Sequence, residues 1–378
     1  MLTDPLLSYL PTKIYIGENI LDRVKECKKF GKKVLLVTGK TFALKSGLLK
    51  KVENFIHEEG IETHRFCDVE PNPSVETVER GREESRGAKC DCIVAIGGGS
   101  PLDAAKGISI LATNEGGLRD YFGIEKFQNQ PLPIIAIPTT AGTGSEVTRY
   151  AVINDWQART KKVVSSFRVL PKIAIVDPAL TLEMSASLTA FTGMDAFSHA
   201  LEGYLSINAN QFTEILSIEA MKLIIENLPK VIKKSLDIEL RRNMMFASLI
   251  AGMVINRTGT IIVHGMGYAL TLDYRLPHGE SNALLLPVVI EYLKNGYKEK
   301  LKKLKNIFKT DIWNLIRNLN RLVGIPQNLK TAGIKEEELE SLAHRAMADC
   351  VRSLKNIPLK LGIEDFGKIY KKAFYGRR

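Results

Sequence analysis

Short apolar runs alternate with helical patterns along the first half of the chain. The apolar runs predict buried strands at Val34–Thr38, Ile93–Ile96, Ile134–Ile137 and Ile173–Val176, and a further strand is predicted at Glu62–Phe66. Between several of them, apolar residues recur at helical spacing, at Leu48–His57, Val75–Arg86 and Leu102–Leu111. Strands that alternate with helices in this way predict a mostly parallel sheet.

The pattern changes soon after Asp177 and Pro178. Strand-like runs largely disappear, and long helical stretches follow at Leu188–Leu205, Phe212–Leu228 and Leu240–Ile255. We therefore expect an α/β domain over residues 1–182 and an all-helical domain over residues 183–378. A chain of 378 residues is long enough for two domains.

Three consecutive glycines, Gly97, Gly98 and Gly99, follow the strand predicted at Ile93–Ile96. The next residues predict a helix start, with Ser100 as the N-cap, Pro101 as the first helical residue and Asp103 in the first turn. Glycines let the backbone approach a ligand closely, and a helix N-terminus offers free N–H groups to an anion. The alternative is a tight turn without a ligand.

A second loop, Pro138-Thr-Thr-Ala-Gly-Thr-Gly-Ser-Glu146, follows the apolar run Ile134–Ile137. Its hydroxyl and N–H groups suit a ribose, a diphosphate or a nicotinamide amide. The alternative is a Ser/Thr-rich turn that caps the next element.

Four possible metal ligands lie in the second half: Asp195, His199, His264 and His278. The first two are four residues apart and would share one face of a helix. One carboxylate and three imidazoles can complete a shell for a first-row divalent ion and leave room for a substrate oxygen. Asp195 and His199 could instead be an ordinary pair on a helix surface, and His264 could be an ordinary hydrogen-bonded histidine in the core.

These segments, together with Glu70-Pro-Asn-Pro-Ser74, resemble the iron-containing (group III) alcohol dehydrogenases over nearly the whole chain. The resemblance implies a Rossmann-like cofactor domain followed by an all-helical metal-binding domain. It also implies a nicotinamide cofactor and Fe(II), or Zn(II) or another divalent ion, held by the residues that match Asp195, His199, His264 and His278. The metal would act as a Lewis acid on the alcohol oxygen while hydride passes to the nicotinamide.

The resemblance also assigns the cofactor contacts. Gly97, Gly98, Gly99 and Ser100 would hold the diphosphate, with Asp103 in the same motif. Thr139, Thr140 and Ser145 would line the ribose and nicotinamide side, and Asn72 and Lys161 would approach the cofactor. For Lys161 the alternative is an exposed lysine in a hairpin.

The chain departs from the family pattern at Tyr268. Many members have a histidine four residues after the third ligand, suited to proton relay near the nicotinamide. A phenol has a reference pKa of about 10, against about 6.5 for histidine. We count Tyr268 among the catalytic candidates, and packing beside the nicotinamide is the favoured role over proton relay.

Cofactor choice depends on the residue that follows Val34–Thr38. Enzymes that prefer NAD usually have a carboxylate there, which accepts hydrogen bonds from the ribose 2′-hydroxyl. Here the position is Gly39, followed by Lys40 and Thr41. Glycine leaves space and lysine supplies a cation, so we predict NADP(H) over NAD(H). The alternative is a simple turn with a solvated lysine.

Composition narrows the other possibilities. The net charge is +11, but the densest basic run, Lys294–Lys309, reads as an amphipathic helix with a solvated basic face, which disfavours nucleic-acid binding. No apolar run reaches membrane-spanning length, the first residues lack a signal-peptide pattern, and five cysteines form no even framework. We expect a cytoplasmic enzyme with a small alcohol or aldehyde substrate, no membrane partner, and a homodimer by family expectation.

Two alternatives from other classes stay open. One is a sister reaction on the same fold, such as a polyol (glycerol- or diol-type) dehydrogenase or a dehydroquinate synthase-like lyase. The other is a non-catalytic nucleotide-binding or nucleic-acid-binding protein.

Overall fold

The computed structural model describes residues 8–376 and divides into two compact units. Among the described residues, one unit is Tyr9–Glu183, and the other comprises residues 184–376 together with Ser8. The units divide between Glu183 and Met184, one residue after the boundary predicted between residues 182 and 183.

The first unit has nine strands: β1 (Lys13–Ile16), β2 (Lys33–Gly39), β3 (Glu62–Val69), β4 (Cys92–Gly97), β5 (Gly123–Ile124), β6 (Ile134–Pro138), β7 (Tyr150–Asp155), β8 (Thr160–Ser165) and β9 (Ile173–Val176). Six of them form one parallel sheet in the order β1-β9-β6-β4-β2-β3. Strands β5, β8 and β7 form a small second sheet, in which β7 and β8 pair antiparallel.

The central strands are buried on both faces, and their sequences are therefore continuously apolar. Leu35 and Val37 of β2 point into one core cluster, while Val34 and Leu36 belong to another. Four α-helices belong to this unit: α1 (Phe42–Lys45), α2 (Leu48–His57), α3 (Val75–Gly87) and α4 (Gly99–Thr113). Residues of α3 and α4 join the first cluster, and residues of α2 join the second.

The strand order reverses between β2 and β4. From β2 the chain runs outward to β3, whereas from β4 it runs the other way to β6. The loops after β2 and β4 therefore diverge at the carboxyl edge of the sheet. In parallel α/β sheets, ligands bind in the crevice that such a divergence opens.

The start of α4 corrects one prediction. The helix begins at Gly99 with Gly98 as N-cap and without a side-chain cap, so Ser100 and Pro101 already lie inside the first turn and Asp103 lies beyond it. The three glycines leave the chain free to enter the helix earlier than a serine cap would require. The β7–β8 hairpin, β1 and the two-residue β5 were not among the predicted strands.

The second unit is helical: α5 (Ala186–Leu205), α6 (Gln211–Lys233), α7 (Ile238–Thr258), α8 (Ile262–Asp273), α9 (His278–Tyr292), α10 (Lys298–Phe308), α11 (Ile312–Leu322), α12 (Leu339–Asp349) and α13 (Ile363–Tyr375). Side-chain caps begin the first three, from Ser185, Asn210 and Asp237. A parallel-sheet domain followed by an all-helical domain confirms the predicted fold class.

Within residues 8–376, no single helix is long and apolar enough to cross a membrane. Helices α7 and α8 pass that test only as a pair, and they are bent by 110° relative to one another.

Candidate metal centre and cofactor loops

Helix α5 carries three polar side chains on one buried face. Asp195, His199 and Glu202 are spaced four and three residues apart, which places them in line along the helix. Their exposed fractions are 3%, 6% and 0%. Burial of this many ionisable groups is costly unless they are paired or bind a cation.

Helices α8 and α9 bring the other two histidines to this face. His264 is in the first turn of α8, and His278 is the first residue of α9. The approach requires glycine at position 279, because a Cβ there would lie 2.0 Å from the carbonyl oxygen of Phe191 on α5. The glycine quoted in the sequence motif thus allows His278 to reach Asp195.

The structure brings all four predicted ligands together, with His278 slightly apart. Ligand atoms of Asp195, His199 and His264 all lie within 4.8 Å of one another. The Nε2 atoms of His264 and His278 are 3.5 and 3.8 Å from Asp195 Oδ1. The rings of His199 and His264 stack at 4.5 Å between centroids.

Glu202 orients His264. The Nδ1–H of His264 donates to Glu202 Oε1 at 2.5 Å, and the same oxygen accepts from the hydroxyl of Ser198 at 2.9 Å. A carboxylate on one ring nitrogen directs the other nitrogen toward a metal and raises its basicity. Glu202 therefore acts on the centre through His264 rather than as a ligand.

The pKa values of His264 and Asp195 are set by the opposite charges around them. Burial alone would lower the pKa of His264, but the carboxylates of Glu202 and Asp195 outweigh it and raise that pKa to about 10. For Asp195, burial is likewise outweighed by the nearby His199, His278 and His264, which hold its pKa well below the usual range. The two carboxylates thus attract positive charge into the centre.

Asn282 connects two of the ligands. Its Nδ2 donates to Asp195 Oδ1 at 3.0 Å and lies 3.2 Å from His278 Nε2. A Cβ on Gly267 would lie only 2.4 Å from the carbonyl oxygen of Asn282, so α8 and α9 pack too closely at this point for any larger residue. Asn282 is fully buried and holds Asp195 in place.

The residues fit a divalent cation. His264 Nε2 is buried and has no hydrogen-bond partner among the described residues, although Asp195 Oδ1 lies 3.5 Å away. The charge of a divalent ion would balance the carboxylates of Asp195 and Glu202. One carboxylate with three imidazoles suits Fe(II), Zn(II) and similar ions.

Tyr268 packs beside the centre. Its ring centroid is 5.8 Å from that of His278, with the ring planes tilted by 31°. Burial raises the pKa of its phenol. At neutral pH the phenol therefore keeps its proton.

In the first unit, the loops that follow β4 and β6 pack together at the carboxyl edge of the sheet. A Cβ on Gly98 would lie 3.2 Å from the hydroxyl oxygen of Thr140, and one on Gly99 would lie 2.7 Å from the methyl of Thr143. The backbone N–H of Thr139 donates to the carbonyl of Gly97 at 2.9 Å. The loop predicted to hold the diphosphate and the loop predicted to line the nicotinamide side therefore form one continuous surface.

Beneath these loops lies a network around the fully buried Lys106. Its ammonium donates to Ser145 Oγ at 2.6 Å and to the carbonyl of Tyr150 at 2.7 Å, and lies 3.5 Å from Asp103 Oδ1. Ser145 in turn donates to Asp103 at 2.6 Å, and the other oxygen of Asp103 accepts from Val152 N at 3.0 Å. Asp103 and Ser145 thus link α4 to the second loop, and their roles as direct cofactor contacts remain predictions.

Asn72 and Lys161 meet, although they are far apart in sequence. Lys161 Nζ donates to Asn72 Oδ1 at 2.9 Å, and the lysine is 7% exposed. The alternative of an exposed hairpin lysine is therefore wrong. Asn72 has a left-handed backbone, φ 56°, and its N–H donates to Ser100 Oγ at 2.9 Å, which ties this corner to the glycine loop.

Gly39 ends β2, beside the glycine loop. A Cβ there would lie 3.5 Å from the carbonyl of Val69 and 3.9 Å from Pro101, which is ordinary contact. Lys40 extends to Asp68, with 2.9 Å between Nζ and Oδ1. The predicted cation is present, but it is paired with a carboxylate that sequence reasoning did not single out.

Sequence reasoning assigned no role to Glu202, Asn282 or Lys106. A signal existed for each of them. Glu202 is three residues after His199, Asn282 four after His278, and Lys106 three after Asp103, so each shares a helix face with a residue that was selected.

Two family models match the chain. The model of iron-containing alcohol dehydrogenases matches residues 11–178, and that of the Fe-containing alcohol dehydrogenase C-terminal domain matches residues 189–374. A 1,3-propanediol dehydrogenase of Klebsiella pneumoniae is 39% identical, over 98% of this chain and 99% of the relative. An NAD-dependent methanol dehydrogenase of Bacillus methanolicus is 34% identical, over 97% of this chain and 99% of the relative.

Among solved structures, a crystal structure of 1,3-propanediol oxidoreductase superimposes with a TM-score of 0.93 at 38% identity, covering 98% of this chain and 100% of that one. Matching models over both units, full-length relatives and the same architecture agree with one another. The chain therefore belongs to the iron-containing alcohol dehydrogenase family.

Proposed function

We propose that this protein is a metal-dependent alcohol dehydrogenase that transfers a hydride between a small alcohol or aldehyde and NADP(H). The observation that carries the proposal is the buried group of Asp195, His199, His264 and His278. These residues offer one carboxylate and three imidazoles in one place, with Glu202 orienting His264. The family supplies the reaction class, and this group supplies the site.

When bound, a divalent cation would supply Lewis acidity that lowers the pKa of the alcohol hydroxyl, and a nicotinamide would accept or donate the hydride. The four ligands would hold the cation. Asn282 keeps Asp195 aimed into the group, and Glu202 keeps the Nε2 of His264 facing it. Burial of Asp195, His199 and His264 excludes bulk water, which strengthens every electrostatic interaction there.

Tyr268 would shape the pocket rather than relay protons. Its ring lies against His278, and its raised pKa keeps the phenol protonated. A group that holds its proton at working pH is a poor general base.

For the cofactor we propose NADP(H) over NAD(H). Gly39 places no carboxylate at the end of β2, and Lys40 supplies a cation beside it. The glycine loop at the start of α4 offers N–H groups for the diphosphate. The Bacillus methanolicus relative is NAD-dependent, so the family alone does not decide the cofactor.

For the substrate we propose a short primary alcohol, with a diol as the second candidate because a 1,3-propanediol dehydrogenase aligns over nearly the whole chain. A homodimer and a cytoplasmic location remain our expectations. Light scattering and cell fractionation would test them.

The test is an anaerobic activity screen followed at 340 nm. Simple alcohols, diols and the matching aldehydes are assayed with NADP(H) and NAD(H), with and without added Fe(II) or Zn(II). We expect metal-dependent turnover and higher kcat/KM with NADP(H). Higher kcat/KM with NAD(H) would overturn the cofactor assignment, and turnover in thoroughly metal-free protein would overturn the metal assignment.

A further inference from the structure

Three charged side chains meet at the carboxyl ends of β2 and β3. Lys40 Nζ lies 2.9 Å from Asp68 Oδ1, and Arg80 Nη2 on α3 lies 2.7 Å from Asp68 Oδ2. One carboxylate is thus shared by two cations, one oxygen to each. We call Lys40, Asp68 and Arg80 the strand-end triad.

The strand-end triad borders the place where the chain diverges between β2 and β4. Gly39 pairs with Val69 in the sheet, so Lys40 and Asp68 directly flank that pair. The space above Gly39 reaches Pro101 in the first turn of α4, whose side chain lies 3.9 Å from the position a Cβ on Gly39 would take. A dinucleotide with its diphosphate at the start of α4 therefore has its adenosine ribose within reach of the triad.

Arg80 is held in place by a second contact. Its Nη2 also donates to Thr77 Oγ1 at 3.0 Å, and Thr77 donates to Glu70 Oε2 at 2.7 Å. All three triad side chains are about half exposed, at 56%, 49% and 49% for Lys40, Asp68 and Arg80. The triad is therefore ordered yet open to an anion from solvent.

Charge decides what the triad prefers. Two cations and one carboxylate leave a net charge of +1, and hydrogen bonds from Lys40 and Arg80 lower the pKa of Asp68, which keeps it ionised. A phosphate monoester brings a charge of about −1.5 to −2 at neutral pH and binds guanidinium groups in a bidentate manner. It would compete with Asp68 for the same two cations.

We propose that Lys40 and Arg80 together form the subsite for the 2′-phosphate of the cofactor, and that Asp68 limits its strength by competing for both cations. This inference rests on the proposed preference for NADP(H) and adds two specificity-determining residues to it. Both oxygens of Asp68 are already paired with the two cations, and an uncharged 2′-hydroxyl cannot displace the carboxylate from them, so NAD(H) binding should depend little on Asp68.

The test measures dissociation constants of NADPH, NADH, 2′-AMP and 5′-AMP by calorimetry for wild type, Asp68→Asn and Arg80→Gln. Asp68→Asn should bind NADPH and 2′-AMP about three- to tenfold more tightly, and Arg80→Gln should bind them about tenfold more weakly. NADH and 5′-AMP should change less than about twofold in both variants, since partly exposed charges are strongly screened. The matched control is Glu62→Gln, which breaks the ion pair of Lys33 and Glu62 at the opposite end of the same two strands.

Two kinds of failure are distinguishable. If wild type binds NADH as tightly as NADPH and ignores 2′-AMP, the cofactor preference fails and this inference falls with it. If wild type prefers NADPH but Asp68→Asn binds it equally or more weakly, or Arg80→Gln leaves it unchanged, the preference stands and the role of the triad is overturned.

Discussion

Each unit of the molecule contains a cluster in which two carboxylates are largely removed from solvent, but the two clusters balance that charge differently. In the α/β unit, Asp103 and Glu146 accompany Lys106, which is fully buried and donates to partners on several elements. In the helical unit, Asp195 and Glu202 face imidazoles instead. The first cluster contains its own cation, whereas the second is built from groups that can bind one.

The difference separates a structural cluster from a functional one. A lysine has no lone pair to offer while it is charged, so the cluster of Asp103, Lys106 and Glu146 is complete and joins the two cofactor loops. A neutral imidazole offers a lone pair, and a metal ion can take the place of the proton. Buried carboxylates alone would not have distinguished the two clusters.

The largest effect is expected from His264→Ala in the helical cluster. It removes a ligand and leaves Glu202 buried without its main partner, so metal content and activity should be lost together, with kcat/KM falling by roughly a thousandfold or more. NADPH binding should persist, because the cofactor loops belong to the α/β unit. Metal analysis, kinetics and calorimetry measure the three quantities.

The control for this change is His344→Ala, at an exposed histidine of the same unit. It should leave metal content and activity unchanged. Full metal occupancy in His264→Ala would contradict the assignment of the site.

Lys106→Met tests the other cluster. It leaves the buried Glu146 and the partly buried Asp103 without their cation, and breaking a buried pair typically costs about 3–5 kcal/mol of stability. The α/β unit should therefore unfold at a lower denaturant concentration, and metal binding by the folded protein should be unaffected. Calorimetric or denaturant unfolding provides the measurement, with the exposed Lys162→Met as control. An unchanged unfolding midpoint would show that Lys106 does not stabilise the cluster.

Glu146 adds a pH dependence to the α/β cluster. Burial raises the pKa of Glu146 to about 7 from 4.5, although its own backbone N–H and the charge of Lys106 lower it in part. The folded state therefore holds a proton that the unfolded state has lost, and stability falls as pH rises from about 4.5 to 7. At about 1.4 kcal/mol per pKa unit, this amounts to at most about 3.5 kcal/mol.

The variant Glu146→Gln should flatten that dependence. Its unfolding temperature relative to wild type should rise between pH 5 and pH 8, because the wild-type carboxylate ionises at a cost and glutamine does not. The exposed Glu62→Gln should follow wild type across the same range. A difference that stays constant with pH, or that falls, would contradict the account.

A smaller effect is expected from Glu202→Gln. Glutamine can still accept from Nδ1 of His264, but the negative charge is lost, and partners of this kind typically contribute 10- to 100-fold in metal affinity. Competition with a chelator measures the change without relying on turnover. Glu202→Ala should weaken the affinity further, since it also removes the hydrogen bond. Wild-type affinity in both variants would mean that Glu202 serves packing alone.

The local parts of this molecule were predictable from the sequence, and the non-local pairings were not. The runs at Val34–Thr38 and Ile173–Val176 predicted strands because strands buried on both faces are continuously apolar. The four ligands were found because Asp195 and His199 share a helix face and the whole set resembles a known family. The Lys161–Asn72 contact spans 89 residues, and no local pattern indicates it.

The sequence analysis also missed the side chains that pair with the predicted site residues. The pattern at Gly39 and Lys40 predicted a cation, but the partner Asp68 lies on the neighbouring strand and Arg80 on the following helix. Glu202 and Asn282 lay at helical spacing from selected residues, so the signal was present but was not used. The N-cap of α4 was misplaced because glycines can begin a helix without a side-chain cap.

Metal reconstitution tests the central claim most directly. Protein stripped by a chelator is titrated anaerobically with Fe(II), while bound metal and alcohol-dependent NADP⁺ reduction are measured on the same samples. We predict that activity rises in proportion to bound metal and saturates at about one ion per chain, and that His264→Ala shows neither binding nor activity. Full activity before any metal is added, or activity that does not track bound metal, would contradict the account.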